Sequence, residues 1–337
     1  RVMRTLCMRR GMCMTGDKKI LFITTKNTDY IRNSQEIALL SKHASKLRVI
    51  GSDASGYCKR LFQVYGSLIR ENCRSYDVVF IGFAPQLVLP FFRRKLRNGK
   101  VVIDFFISLY DTFVCDRKMI KKGSPAAGIL HWIDKRTLNL ADHIIVDTKA
   151  HGGFFASEFC AAYDKMEVLY LEADRTIYYP RSPKSKRYPD KYTVLYFGSI
   201  LPLQGVETVI KAAELLGDHD KIQFIVIGPE KKGVARYMGN NIQYMEWLSQ
   251  QELADEIAGA DLCLAGHFNA DIDKAKRTIP GKAYIYEAMQ KKMILGDNEA
   301  NHELFKSDNM HYYVEMGNAE SLAALIVRIA EEQRMIT

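Results

Sequence analysis

The chain has 337 residues, 47% of them hydrophobic and 26% charged, and a formal net charge of +9. That length carries two compact domains of roughly 150 residues each, and its apolar runs fall well short of the roughly 20 residues a membrane span needs. Its seven cysteines (Cys7, Cys13, Cys58, Cys73, Cys115, Cys160 and Cys263) are odd in number and lack the two-residue spacing of a zinc knuckle or redox motif. They read as idle thiols in a reducing cytoplasm.

Residues 1–17 carry basic residues and four Met but no apolar stretch, so they read as an extension or cloning remnant rather than a signal peptide. From residue 18 onward β-like apolar runs alternate with helical ones. Strands are expected at 20–25, 47–52, 78–83, 101–106, 143–147 and 167–171, with helices at 31–45, 58–73 and 129–140 among the segments between them. A stretch with three prolines and five cations (175–190) cannot carry a ladder and reads as a linker between an N-terminal domain at 18–174 and a C-terminal domain at 191–337. The pattern then repeats, with strands at 193–197, 222–227, 242–244, 262–265, 293–295 and 312–314. This alternation predicts an α/β fold of two Rossmann-like doubly wound domains facing across a cleft, with ligands at the carboxyl ends of the strands. The last helix is free to pack back on the first domain.

No three-glycine dinucleotide turn follows the first strand, where Lys26-Asn27-Thr28-Asp29-Tyr30 stands instead. This removes most support for NAD-dependent oxidoreduction, and no Walker loop, metalloprotease His pair or Gly-x-Ser-x-Gly elbow is found. The most informative stretch opens the second half. An apolar run ends in Gly198, a loop with Pro202 and Gly205 follows, and Val206, Val209, Ile210 and Ala213 then mark a helix. Strand, glycine loop and helix N-terminus together favour an anion, through backbone N–H groups and the helix dipole. A second helix start lies at Pro280-Gly281-Lys282. Lys282 is a cation at the dipole's positive end, which suits a bound phosphate better than it suits the helix. Glu287, among Ala283, Ile285, Ala288 and Met289, is expected to be half-buried, with ribose hydroxyls as its partners.

Taken in order, Phe197-Gly198 with Gly205, Phe224 to Gly228, Trp247-Leu248-Ser249 with Glu252-Leu253, Ala260-Asp261-Leu262 and Lys282-x4-Glu287-Ala288-Met289 resemble the donor-binding domain of family 4 retaining glycosyltransferases. The resemblance spans about residues 192–331, and Ala141 to Thr148 with Leu171 to Asp174 extend it more loosely into the first half. It implies the GT-B fold and transfer of a sugar, with retention, from a nucleotide diphosphate sugar to an acceptor hydroxyl in polysaccharide or glycolipid synthesis. Residue by residue, it implies a donor site of Gly198, Ser199, Gln204, Gly205, Gly228, Trp247, Leu248, Arg277, Pro280, Gly281, Lys282 and Glu287. Family members carry an Arg and a Lys where this chain has Ser199 and Gln204, and an earlier Glu where it has Ile279. Lys282, with Arg277, is expected to replace the lost positive charge. No metal or other cofactor is expected, and Asp271-Ile272-Asp273 is set aside as a polar loop beside Lys274 and Lys276.

On the acceptor side, Asp104 and Asp111 are the candidates for orienting the acceptor hydroxyl or taking its proton; a strand-end cap or an ion pair is the structural alternative for each. Residues 1–174 have a net charge of +11 and residues 191–337 one of −6. With Arg93, Arg94, Lys95 and Arg97 beside Phe91 and Phe92, this points to a saccharide or lipid-linked acceptor and to a cytoplasmic enzyme docking on the inner face of a membrane. No nucleic-acid partner is expected. Two alternatives stay open: an NDP-sugar epimerase or hydrolase of the same fold, and a non-catalytic sugar-nucleotide-binding subunit.

Overall fold

The computed structural model describes residues 18–199, 201–229 and 237–334, so the expected extension at 1–17 lies outside the described residues. Contacts divide the chain into two units. The first runs to Tyr170 and the second from Leu171, with residues 115–117 and 148–150 grouped with the second.

The first unit holds six parallel strands, β1 (Lys18–Ile23), β2 (Ala44–Ile50), β3 (Val78–Ile81), β4 (Lys100–Asp104), β5 (His143–Val146) and β6 (Met166–Val168). They lie in the order β2-β1-β3-β4-β5-β6. The helices are α1 (Ile31–Ser41), α2 (Tyr57–Arg70), α3 (Leu89–Leu96), α4 (Pro125–Leu140) and α5 (Lys149–Phe159), with a π-helical turn at Asp111–Asp116. Alternate residues along each strand face opposite layers. Leu21, Ile23, Val79, Ile81, Val101 and Ile103 pack in one buried cluster with Val64, Leu68 and Leu138. Ile20, Phe22, Val78, Phe80 and Val102 pack in another with Leu40. Because both faces are covered, the strands read as continuous apolar runs.

The second unit repeats the plan with β7 (Tyr192–Phe197), β8 (Ile222–Ile227), β9 (Ile242–Met245), β10 (Leu262–Gly266), β11 (Met293–Gly296) and β12 (His311–Val314). Its helices are α6 (Val206–Leu215), α7 (Gln250–Gly259), α8 (Asp273–Arg277), α9 (Gly281–Ala288), α10 (Glu299–Leu304) and α11 (Ala319–Arg334). All pairs are parallel, in the order β12-β11-β10-β7-β8-β9. Read from β7 outward this is the Rossmann order, whose direction reverses between β7 and β10, and ligands of such sheets sit outside the strand ends at that reversal.

The final helix lies in the second unit's own core, where Leu322, Ile326 and Ile329 pack with Val206, Val209 and Ala213. The expected linker has no strand or helix, but it is fastened to the second unit through its cations. Lys184 reaches Asp255 at 2.9 Å, Lys186 reaches Asp261 at 2.8 Å and Arg187 pairs with Glu256.

Candidate functional site

At the reversal in the second sheet, the chain leaves β7 through Gly198 and β8 through Gly228. Gly198 has φ +148° and Gly228 φ +156°, and a Cβ on Gly228 would lie 2.3 Å from the Gly198 carbonyl oxygen. The two turns therefore touch backbone to backbone, and only glycine fits at Gly228. Gly205, at φ +63°, is equally constrained, since a Cβ there would meet Asn269 N at 2.6 Å. It leads directly into α6, whose first turn has no side-chain cap. The Thr208 N–H of that turn bonds the Gly205 carbonyl at 3.1 Å, so an anion there would be met by the N–H groups of Val206 and Glu207. The N–H of Gly198 is not among the free donors, because it bonds the Ile227 carbonyl at 2.9 Å.

Lys282 stands over this floor. It is the second residue of α9, only 5% exposed, and a Cβ on Gly198 would lie 3.1 Å from its Nζ. Its ammonium donates to Gln204 Oε1 at 2.5 Å and sits 4.1 Å from the centre of the Tyr196 ring. Burial pulls its pKa down to about 7. Beside it His267 is buried and held neutral; burial first, then the neighbouring Lys282, takes its pKa down to about 3. A buried amine held by neutral partners is a cation site waiting for an anion, because charging it without one is costly. Gln204, where the resemblance expected a cation, is the residue that accepts from Lys282.

The remaining donor candidates divide. Ser199 is exposed beside Gly198, and Trp247, 50% exposed, follows β9 at the same end of the sheet, with Leu248 half-buried next to it. Pro280 and Gly281 form the uncapped start of α9. Arg277 ends α8, three residues before Pro280.

Glu287 is not brought to this floor. Half its side chain is exposed, and its carboxylate accepts from His311 Nε2 at 2.8 Å. Register explains why. His311 pairs with Met293, and Met293 and Leu195 both pair with Cys263. His311 is thus level with Leu195, three residues or roughly 10 Å short of Gly198. Where ribose hydroxyls were expected as its partners, the partner seen in this structure is His311.

In the first unit, Asp104 ends β4 but is 1% exposed. Arg32 of α1 donates to both its oxygens, Nε at 2.5 Å and Nη2 at 2.7 Å, and donates also to the Leu169 carbonyl at 2.9 Å. Glu36, buried beside them, has its pKa raised well above the usual carboxylate value, by desolvation first and then by the Asp104 charge. Asp104 is thereby corrected from a proton acceptor to the carboxylate of a buried ion pair.

Asp111, also 1% exposed, lies 3.9 Å from His151 Nε2, and His151 Nδ1 meets Asp147 Oδ1 at 2.7 Å. Burial pushes the Asp147 carboxyl up, but His151 outweighs it and holds the pKa below the usual value. Ser108 receives the Asp111 N–H at 2.9 Å and donates to Asp134 at 2.7 Å. Sequence reading missed Arg32, Glu36, His151 and Asp134. Only Asp147, as a polar residue closing an apolar run, carried a local signal.

Residues 191–332 match the family described as glycosyl transferases group 1. A search of curated proteins returns no match to the sequence. Among solved structures, HepE of Anabaena in complex with UDP superposes with a TM-score of 0.61 at 15% identity, over 94% of this chain and 90% of that one. The same protein in complex with UDP-glucose gives 0.60 at 15%, over 94% and 91%. Sucrose-phosphate synthase of Thermosynechococcus elongatus gives 0.64 at 12%, over 93% and 90%. The fold is GT-B, two Rossmann-like domains, and with the family match over the second unit it supports a glycosyltransferase.

Proposed function

We propose that the protein transfers a sugar from a nucleotide diphosphate sugar to an acceptor hydroxyl, with retention, and that the donor lies on the Gly198–Gly228 floor. The observation that supports this reading most strongly is the Lys282 ammonium, buried over Gly198 between Gln204 and Tyr196. The donor diphosphate sits between that ammonium and the uncapped start of α6. Negative charge grows on it as the bond to the sugar breaks, so a cation fixed in a dry site stabilises the transition state more than the ground state. Lys282 and the helix starts supply this positive charge, and the reading includes no metal. Trp247 offers an exposed ring at the end of β9 for the base.

UDP is the first nucleotide to test, since HepE is solved with it. The reading takes the sugar to be a hexose and the acceptor a saccharide or lipid-linked sugar of polysaccharide or glycolipid synthesis. Asp111 remains the acceptor-side carboxylate, positioned through His151. The test is turnover of a panel of UDP-, GDP-, dTDP- and ADP-hexoses with and without saccharide acceptors, followed by NMR of the anomeric proton. Product of unchanged anomeric configuration, formed only with acceptor, is the expected result. Donor consumption without acceptor indicates a hydrolase or epimerase, and inverted product refutes retention.

A further inference from the structure

We propose that α2 and α3 of the first unit together form a docking face for an anionic lipid surface. Sequence reading pointed to α3 alone, and the structure adds α2. The two helices lie side by side: the Tyr65 and Phe92 rings meet at 5.1 Å, and Lys95 Nζ donates to the Ile69 carbonyl at 2.5 Å. Helix α2 buries Arg60, Val64 and Leu68. Its opposite side presents Phe62, 75% exposed, and one heptad on Ile69, 66% exposed, while α3 presents Phe91 at 67%. Three large apolar side chains bare on adjacent helices gain nothing from the fold and need another surface.

Charge selects the kind of surface. The two helices contain no Asp or Glu. Lys59 and Arg70 are exposed on α2, and Arg94 is exposed on α3 with Arg97 just after it. Arg93 and Lys95 are partly covered. Of the acids beside the face, Glu71 is engaged by Arg48 at 3.6 Å and by the Tyr76 hydroxyl at 2.9 Å, and the exposed Asp53 lines a cavity with Lys59, Phe62 and Arg70, where the cations outnumber it two to one. Exposed aromatic and aliphatic tips ringed by cations match a bilayer whose headgroups are anionic and whose boundary accepts Phe and Ile. A second copy of this chain seated through the same basic face lacks the complementary charge. No helix among the described residues is long and apolar enough to cross a membrane, so the contact is reversible and peripheral.

The inference goes beyond the proposed function and does not depend on it. The full chain is sedimented with phosphatidylglycerol-containing and with pure phosphatidylcholine vesicles, at about 0.05 and 0.5 M salt. Binding to the anionic vesicles alone is expected, falling at least tenfold at the higher salt as screening shortens. Phe62→Ser with Ile69→Ser, and separately Lys59→Glu with Arg94→Glu, should each lower binding about tenfold or more while leaving Tm and UDP affinity in solution unchanged. Equal binding to both vesicle types, no binding at low salt, or wild-type binding by both variants overturns the proposal. So does a dimer in light scattering that the Phe62→Ser, Ile69→Ser variant dissolves, since a second copy then occupies the face.

Discussion

Lys282 is held where its charge is least welcome until a ligand arrives. An unfolded lysine titrates near 10.4, and burial brings Lys282 down to about 7. Between those values the unfolded chain binds more protons than the folded one, so stability rises with pH across that window. Below about pH 7 the burial cost is full, and above about 10.4 it is gone. Lys282→Met should therefore raise Tm at pH 6 and have progressively less effect toward pH 9.5, as thermal melts across that range would show. A variant no more stable than wild type at pH 6 would mean that the ammonium is better solvated than its surroundings imply.

Asp104 makes the opposite case. Its charge is matched by Arg32 in a buried bidentate pair, and removing one partner strands the other. Asp104→Asn should cost about 3–5 kcal/mol in denaturant unfolding. A loss of activity with unchanged stability would return Asp104 to the chemistry.

The two ends of α9 divide its roles. Its start carries Lys282 to the ligand end of the sheet; its last turn places Glu287 beside His311. The Glu287 hydrogen bond is the main cause that raises the His311 pKa, with burial opposing it and the charges of Glu287 and Asp308 adding to it. A raised histidine pKa stabilises fully below the unfolded value near 6.5, and the contribution is lost as pH rises through the folded value. Wild type should therefore exceed His311→Gln in unfolding free energy, measured by denaturant titration, most at pH 5.5 and least at pH 8.5, by under about 1 kcal/mol because Glu287 is half exposed. Glu287→Gln should weaken the same dependence, leaving the part due to Asp308, and keep UDP affinity within about twofold. A tenfold loss of UDP affinity in that variant would show that the carboxylate leaves His311 for the ribose.

Elements themselves were largely legible. All twelve expected strands are present, because a strand covered on both faces must be apolar throughout. Boundaries slipped where that reason fails. β2 starts at Ala44 rather than 47, since it is an edge strand whose early residues Ser45 and Lys46 are polar and exposed. α4 starts at Pro125 rather than 129, because Ser124 caps it and Pro125 fills its first position, signals independent of apolar spacing.

Across the whole molecule, the fold and its glycine turns could be read from apolar runs and glycines, whereas the side-chain pairings could not. Arg32 and Asp104 lie 72 residues apart, and Lys282 and Gln204 lie 78 apart. No local pattern links such residues; only the topology brings them together. For the same reason, no motif describes the route by which Lys282 comes to lie over the first glycine turn. The account as a whole rests on the Lys282 charge meeting a diphosphate. Calorimetric titration of UDP into wild type and Lys282→Met at pH 8, in buffers of differing ionisation enthalpy, tests this directly. With Lys282 mostly neutral at that pH, wild type should take up close to one proton per UDP bound. The variant should take up almost none and bind about 10–100-fold more weakly. Equal affinity in the two proteins, with no buffer dependence in either, would contradict the account.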